Sequence, residues 1–193
     1  QLGEAVCVVD LRGTAERASA ACVLPGATVH SLPVEPTVAS KLDALAATGE
    51  ALTAQAARRF MAEAYAGFVR NARPQLAAFF AHLVDTPAQP TVLHCAAGKD
   101  RTGFVTAMLL AALDVPRATV IDDYLHTNAR LQPKQGGRFP PEIMQVLATV
   151  HADFLDAAYA AIDADFGGVD AYLAQGVGLA PAAREQLRAQ LLA

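Results

Sequence analysis

Apolar positions along the chain alternate between two spacings. Ala5 to Val9 is an unbroken apolar run closing on Asp10, which predicts a buried strand over 5–10. A short helix over 14–20 and a strand near 27–32 follow, the latter stopped by Pro33 and Pro36. Residues 38–47 and 52–70 carry helical spacing: Leu52, Ala56, Phe60, Ala64 and Phe68 step by four, with Met61 and Tyr65 beside them. A further helix over 74–84 leads through the turn signals Thr86-Pro87-Ala88-Gln89-Pro90 to a strand over 91–95. From Thr102 the apolar residues Phe104, Val105, Met108, Leu109, Ala112 and Leu113 mark a helix that Asp114-Val115-Pro116 stops. Helices over 117–128, 140–163, 168–175 and 181–192 complete the chain. The pattern predicts an α/β fold in which a central, mostly parallel sheet is flanked by helices and the C-terminal half is rich in helix.

Length and composition narrow this only slightly. The 193 residues suit one domain, long enough to bury about 70% of the unfolded surface. The apolar content of 53% is swollen by alanine, and no run approaches the 18 or more residues of a membrane span. A net charge of −4 argues against a nucleic-acid or general polyanion binder. Three cysteines offer no disulfide framework and suit a reducing compartment, which makes the cytoplasm the default location. Cys7 reads as core and Cys22 as turn-side packing. Five histidines without His-x-His or His-Glu-x-x-His spacing give no expectation of a metal, and no cofactor is implied.

The chemistry lies in His94-Cys95-Ala96-Ala97-Gly98-Lys99-Asp100-Arg101-Thr102-Gly103. A cysteine directly after a strand, an arginine six positions later and a hydroxyl residue opening a helix form a strand-to-helix loop. Ala96, Ala97 and Gly98 are small enough for successive backbone N–H groups to turn inward as an anion nest. The helix N-terminus adds its free N–H groups and the positive end of its dipole. Such a setting lowers a thiol from its usual pKa of about 8.5, so Cys95 is the expected thiolate nucleophile, with Thr102 donating to the sulfur. Arg101 offers a planar fork for two phosphoryl oxygens. Lys99 is expected to place a second positive charge at the loop's mouth.

A departing alkoxide or phenoxide needs a proton. Asp100 is the first candidate for the general acid, against a plainer role in balancing Lys99 and Arg101 or capping the helix; Asp10 is the runner-up. His94 is expected to orient the loop rather than act as a base. Phe60, Tyr65 and Phe68 read as core or lid packing in preference to an aromatic stacking site. Asn128 to Pro141, with Arg130, Lys134 and Arg138, reads as a basic loop, either a solvated connection or a flap over Cys95. A nucleotide-binding loop is excluded, because Leu93 and Asp100 stand where that motif needs glycine and a hydroxyl residue.

The loop resembles that of the cysteine-dependent phosphatases, and its Gly-Lys-Asp-Arg-Thr-Gly core resembles the atypical bacterial tyrosine phosphatases of the mycobacterial type. Val8-Val9-Asp10-Leu11-Arg12 with Glu16, Asp122 to Asn128, and Phe166 to Leu173 with Gly178-Leu179 resemble further elements of that branch, in order. No tryptophan is present, so a Trp-Pro-Asp acid loop is absent. The resemblance implies removal of phosphate from phosphotyrosine, often from phosphoserine and phosphothreonine, and in several members from phosphoinositides. It carries the nucleophile to Cys95, the phosphate-binding arginine to Arg101, the acid to Asp100 and the lysine to Lys99. Family chains usually begin with a segment carrying an Arg-Asp-x-Gly-Gly element, so 1–193 is expected to be a single phosphatase domain without that segment. Secretion therefore stays open, and the sequence does not reveal an oligomeric state. The alternatives are a phosphate-binding pseudophosphatase and a metabolic inositol-phosphate phosphatase.

Overall fold

The computed structural model describes residues 6–87, 89–131 and 136–192. Three parallel strands, β1 (Cys7–Asp10), β2 (Thr28–Ser31) and β3 (Thr91–His94), form a sheet in the order β2-β1-β3. Cys7 pairs with Thr28 on one side and Thr91 on the other, and Asp10 with Ser31 and His94. The C-terminal ends of all three strands therefore lie at one edge, where ligand sites of parallel sheets are found. β1 is wholly buried, which accounts for its unbroken apolar run. β2 is exposed along its length and forms one edge of the sheet.

Helices α1 (Thr14–Ser19), α2 (Val38–Ala47), α3 (Ala54–Asn71) and α4 (Arg73–Asp85) precede β3. Helices α5 (Asp100–Ala112), α6 (Arg117–Arg130), α7 (Pro141–Ala148), α8 (Ala152–Phe166), α9 (Val169–Ala171) and α10 (Pro181–Leu191) follow it, with a π-helical turn Tyr172–Val177 continuing α9. α3 begins two residues later than its periodicity predicts, because the Thr53 side chain caps it by accepting from the Ala56 N–H at 3.1 Å. Its buried stripe, Ala57, Phe60, Met61, Ala64, Tyr65 and Phe68, packs into a continuous core with Phe104, Met108, Phe154 and Leu155. Among the described residues no helix is long and apolar enough to cross a membrane.

Two expectations need correction. The helix read as continuous over 140–163 is two helices, broken at Thr149-Val150-His151. The side chain of Asn128 on α6 clamps the break: its Nδ2 donates to Val150 O at 2.9 Å and its Oδ1 accepts from Val150 N at 2.8 Å. Those groups cannot then join a helical ladder, and His151 starts α8 afresh in an extended conformation. The second correction concerns the basic loop. α6 runs on to Arg130, so Asn128 and Arg130 are helical, and Arg138 is ion-paired with Asp43 of α2 while lying over the Phe139 ring. Lys134 lies outside the described residues.

Candidate active site

β3 ends at His94, and the chain turns sharply through Cys95 to Lys99 into α5. Gly98 has φ +64°, a left-handed conformation that disfavours side chains and lets the loop close on itself. Gly103 is needed for a different reason. A Cβ there would meet the Tyr124 ring at 2.9 Å, so only glycine lets α5 lie this close to α6.

Cys95 is buried in this turn, 6% exposed. Burial pushes its thiol pKa up, but the Thr102 hydroxyl, the Thr102 and Lys99 backbone N–H groups and the Arg101 charge outweigh it. The net effect holds the thiol below its ordinary value. Among the described residues the buried Thr102 hydroxyl meets no acceptor in full hydrogen-bond geometry. His94 Nδ1 lies 3.1 Å from the Cys95 carbonyl oxygen, a contact that braces the turn.

Arg101 is anchored from behind. Its Nη1 and Nη2 donate to Glu16 at 2.6 and 2.9 Å, and Nη1 also donates to Val34 O at 3.0 Å. Nε and one Nη2 hydrogen have no protein acceptor among the described residues, which leaves two donors on the fork for an anion. Glu16 is held in turn: its Oε2 accepts from the Gly13 N–H at 2.7 Å, and the Arg101 hydrogen bonds keep its carboxyl below the usual range. Sequence reasoning noted Glu16 only as part of a resemblance. The signal for its role was the spacing Gly13-x-x-Glu16, the half of a capping box in which the glutamate reaches back to the N-cap N–H, which fixes the carboxylate at the start of α1.

Asp100 is the first residue of α5. Burial raises its carboxyl pKa, and Lys99, a Tyr65 hydrogen bond and Arg101 only partly offset this, so the net shift is upward. Tyr65 Oη donates to Asp100 Oδ1 at 3.0 Å and lies 2.5 Å from Tyr124 Oη. Tyr65, expected only to pack, therefore also presents a hydroxyl to the acid candidate. Asp10 is placed quite differently. It is 1% exposed, and its two oxygens accept from Arg12 N, Nε and Nη2 at 2.8–3.2 Å. Burial pushes its carboxyl up, but these bonds prevail and hold it below its ordinary value, an arrangement suited to a permanent anion and poor for a proton donor.

Lys99 departs from expectation. It is 3% exposed instead of standing at the mouth. Its Nζ donates to the carbonyls of Leu147 and Thr149 at the break between α7 and α8, and lies 3.4 Å from Asp100 Oδ2. The sequence does not reveal this, because nothing in its local pattern announces the break that frees those carbonyls. Ala96 and Ala97 form the wall of the turn between Cys95 and Gly98, both exposed.

Two groups of potential metal ligands occur among the described residues, Asp10 with Cys22 and His94, and Cys7 with His30 and His82. In the first, Arg12 already occupies the carboxylate, which leaves no room for a cation.

The profile described as "Tyrosine phosphatase family" matches residues 4–193. The chain belongs to that family. It is 37% identical over 139 residues to a Cupriavidus necator protein named "Putative tyrosine-protein phosphatase", a match covering 68% of this chain and 45% of that protein. It is 31% identical over 156 residues to the "Triple specificity protein phosphatase PtpB" of Mycobacterium tuberculosis, covering 71% and 56%. A "Tyrosine-protein phosphatase" of Nostoc commune is 28% identical over 144 residues, covering 68% and 49%. The matched stretch spans about half the length of these relatives.

Proposed function

We propose that this chain is a cysteine-dependent phosphatase domain that hydrolyses phosphomonoesters through a phosphocysteine. The geometry of one turn carries the reading: Cys95 is buried where the chain turns into α5, Arg101 is held by Glu16 at 2.6 and 2.9 Å with two donors left free, and Asp100 opens the helix between them. The directions agree, the Cys95 thiol lying below its ordinary pKa and the Asp100 carboxyl above its own. Cys95 Sγ attacks phosphorus in line, an S–P bond forms and the P–O bond to the leaving group breaks. Asp100 gives its proton to the departing oxygen. Arg101, with the loop N–H groups and the N-terminus of α5, meets the charge spread over the equatorial oxygens. Water then attacks phosphorus, Asp100 takes its proton, and inorganic phosphate leaves with the Cys95 thiolate restored.

Family membership supports phosphotyrosine as a substrate. The triple specificity named for the mycobacterial relative supports a range wider than phosphotyrosine. Phosphoserine, phosphothreonine and phosphoinositide are the classes that the resemblance of the loop implies, with a phosphorylated protein or lipid as partner. The deciding experiment is turnover of p-nitrophenyl phosphate by wild type, Cys95→Ser and Arg101→Lys. Loss of turnover in the serine variant, with a covalent phosphoenzyme trapped by acid quench of the wild type, is the expected result. Equal turnover by Cys95→Ser rules the mechanism out, and binding of phosphate by a wild type that turns nothing over identifies a pseudophosphatase. A panel of phosphopeptides and phosphoinositides then assigns the substrate class.

A further inference from the structure

Cys7, His30 and His82 come from three elements that lie far apart in sequence, yet Sγ and one nitrogen of each ring lie within 4.8 Å of one another. Cys7 opens β1, and His30 is the third residue of β2; since Cys7 pairs with Thr28, His30 lies one diagonal step along on the same face. His82, in the last turn of α4, is laid over that face, its ring centroid 5.1 Å from that of His30. Cys7 and His82 are buried, whereas His30 is exposed.

The hydrogen bonds around His82 fix which nitrogen is available. Thr86 Oγ1 donates its only proton to the His82 carbonyl at 2.7 Å. It can then only accept from the ring, so Nδ1, 3.2 Å away, carries the hydrogen. Nε2 is left with its lone pair, facing the Thr91 hydroxyl at 2.9 Å. That hydroxyl has a second acceptor, the Gln89 carbonyl at 3.2 Å, so it can turn away without losing a partner. A neutral imidazole with one nitrogen held by an outer hydrogen bond and the other free is the form in which histidine binds metals.

We propose that Cys7, His30 and His82 form a site for a zinc-type divalent cation, with water as the fourth ligand on the exposed His30 side. One thiolate and two imidazoles are the donor set of tetrahedral zinc, and hard oxygen-seeking cations such as Mg2+ and Ca2+ are excluded by it. Binding releases the Cys7 thiol proton to solvent as the S–metal bond forms, and no oxidant or reductant is involved. The site lies away from the catalytic loop. Thr91, beside Cys7 in the sheet, is four residues from Cys95, about 13 Å along an extended chain. The cation ties β1, β2 and α4 together next to the strand that carries the nucleophile.

The test uses the whole chain stripped of metal, with Zn2+ titrated against a chromophoric chelator and Co2+ as the spectroscopic probe. Expected are one Co2+ per chain, a thiolate-to-cobalt charge-transfer band, and a rise in Tm of about 5–10 °C at a hundredfold excess of Zn2+ over its Kd. Cys95→Ser, which removes the catalytic thiolate as a competing ligand, keeps the band. Cys7→Ala abolishes it, and His30→Ala, a surface change, weakens Zn2+ binding at least tenfold while leaving p-nitrophenyl phosphate turnover in metal-free buffer unchanged. Absence of stoichiometric binding, a band lost in Cys95→Ser, or undiminished affinity in His30→Ala overturns the proposal. The last result does so even where Cys7→Ala fails to fold.

Discussion

At the residue scale Tyr65 stands out, a fully buried side chain whose hydroxyl touches the acid candidate. Its hydroxyl donates to Asp100 and so favours the charged carboxylate, against the burial that favours the neutral acid. Removing that hydroxyl in Tyr65→Phe therefore raises the Asp100 pKa further. A general acid works only while protonated, so the descending limb of kcat/KM against pH moves toward higher pH, by about one unit for a hydrogen bond of ordinary strength. Asp100→Asn removes that limb and lowers kcat by about a hundredfold or more, most for poor leaving groups. Asp10→Asn leaves the limb in place, since Arg12 already holds Asp10 as an anion. A limb that stays put in Tyr65→Phe and Asp100→Asn alike moves the acid to another residue. The identity of Cys95, Asp100 and Arg101 as candidates was legible in one short string. The hydroxyl behind Asp100 was not, because a tyrosine on a buried helical stripe reads the same whether its ring or its oxygen matters.

Between elements, the short helix α1 has a task out of proportion to its length. Its first turn holds Glu16 against Arg101, and the Gly13 N–H holds Glu16. Glu16→Gln replaces a bidentate ionic contact by a single neutral acceptor and frees the guanidinium to move. Expected is a fall in kcat/KM of about tenfold to a hundredfold, with parallel weakening of inhibition by inorganic phosphate; unchanged phosphate affinity shows that Arg101 needs no anchor. β1 and most helices were legible because their burial follows the period of their apolar residues, one-sided in α3 and two-sided in β1; β2, exposed along its length, was legible from the prolines that stop it. The break after α7 was not. Gln145 to Phe154 carries no glycine or proline to announce it, and the cause is Asn128, a residue at least 21 positions upstream. Asn128→Leu removes both bonds to Val150, with an expected loss of about 1–2 kcal/mol in urea denaturation.

For the whole molecule, three consecutive side chains fasten the turn that follows Cys95 to three different parts of the chain. Lys99 reaches the α7–α8 break, Asp100 meets Tyr65 of α3 and through it Tyr124 of α6, and Arg101 meets Glu16 of α1 and the Val34 carbonyl. A loop held this way is preset for an anion before any substrate arrives, which is where electrostatic catalysis gains most. The arrangement also changes what Lys99 does. An ammonium saturated by two carbonyls and a neighbouring carboxylate is a tether, and its charge helps keep Asp100 from rising further. Lys99→Met, similar in length but unable to donate, separates a tether from a substrate contact. A tether predicts a lower Tm, a descending pH limb shifted upward, and losses in kcat/KM that are equal for a phosphotyrosine peptide and a more highly charged phosphoinositide. A substrate contact predicts a KM increase that grows with substrate charge and shrinks in high salt, as attraction between exposed charges must. The burial of Nζ favours the first set of results, and a selective loss toward the phosphoinositide would return Lys99 to the mouth of the loop.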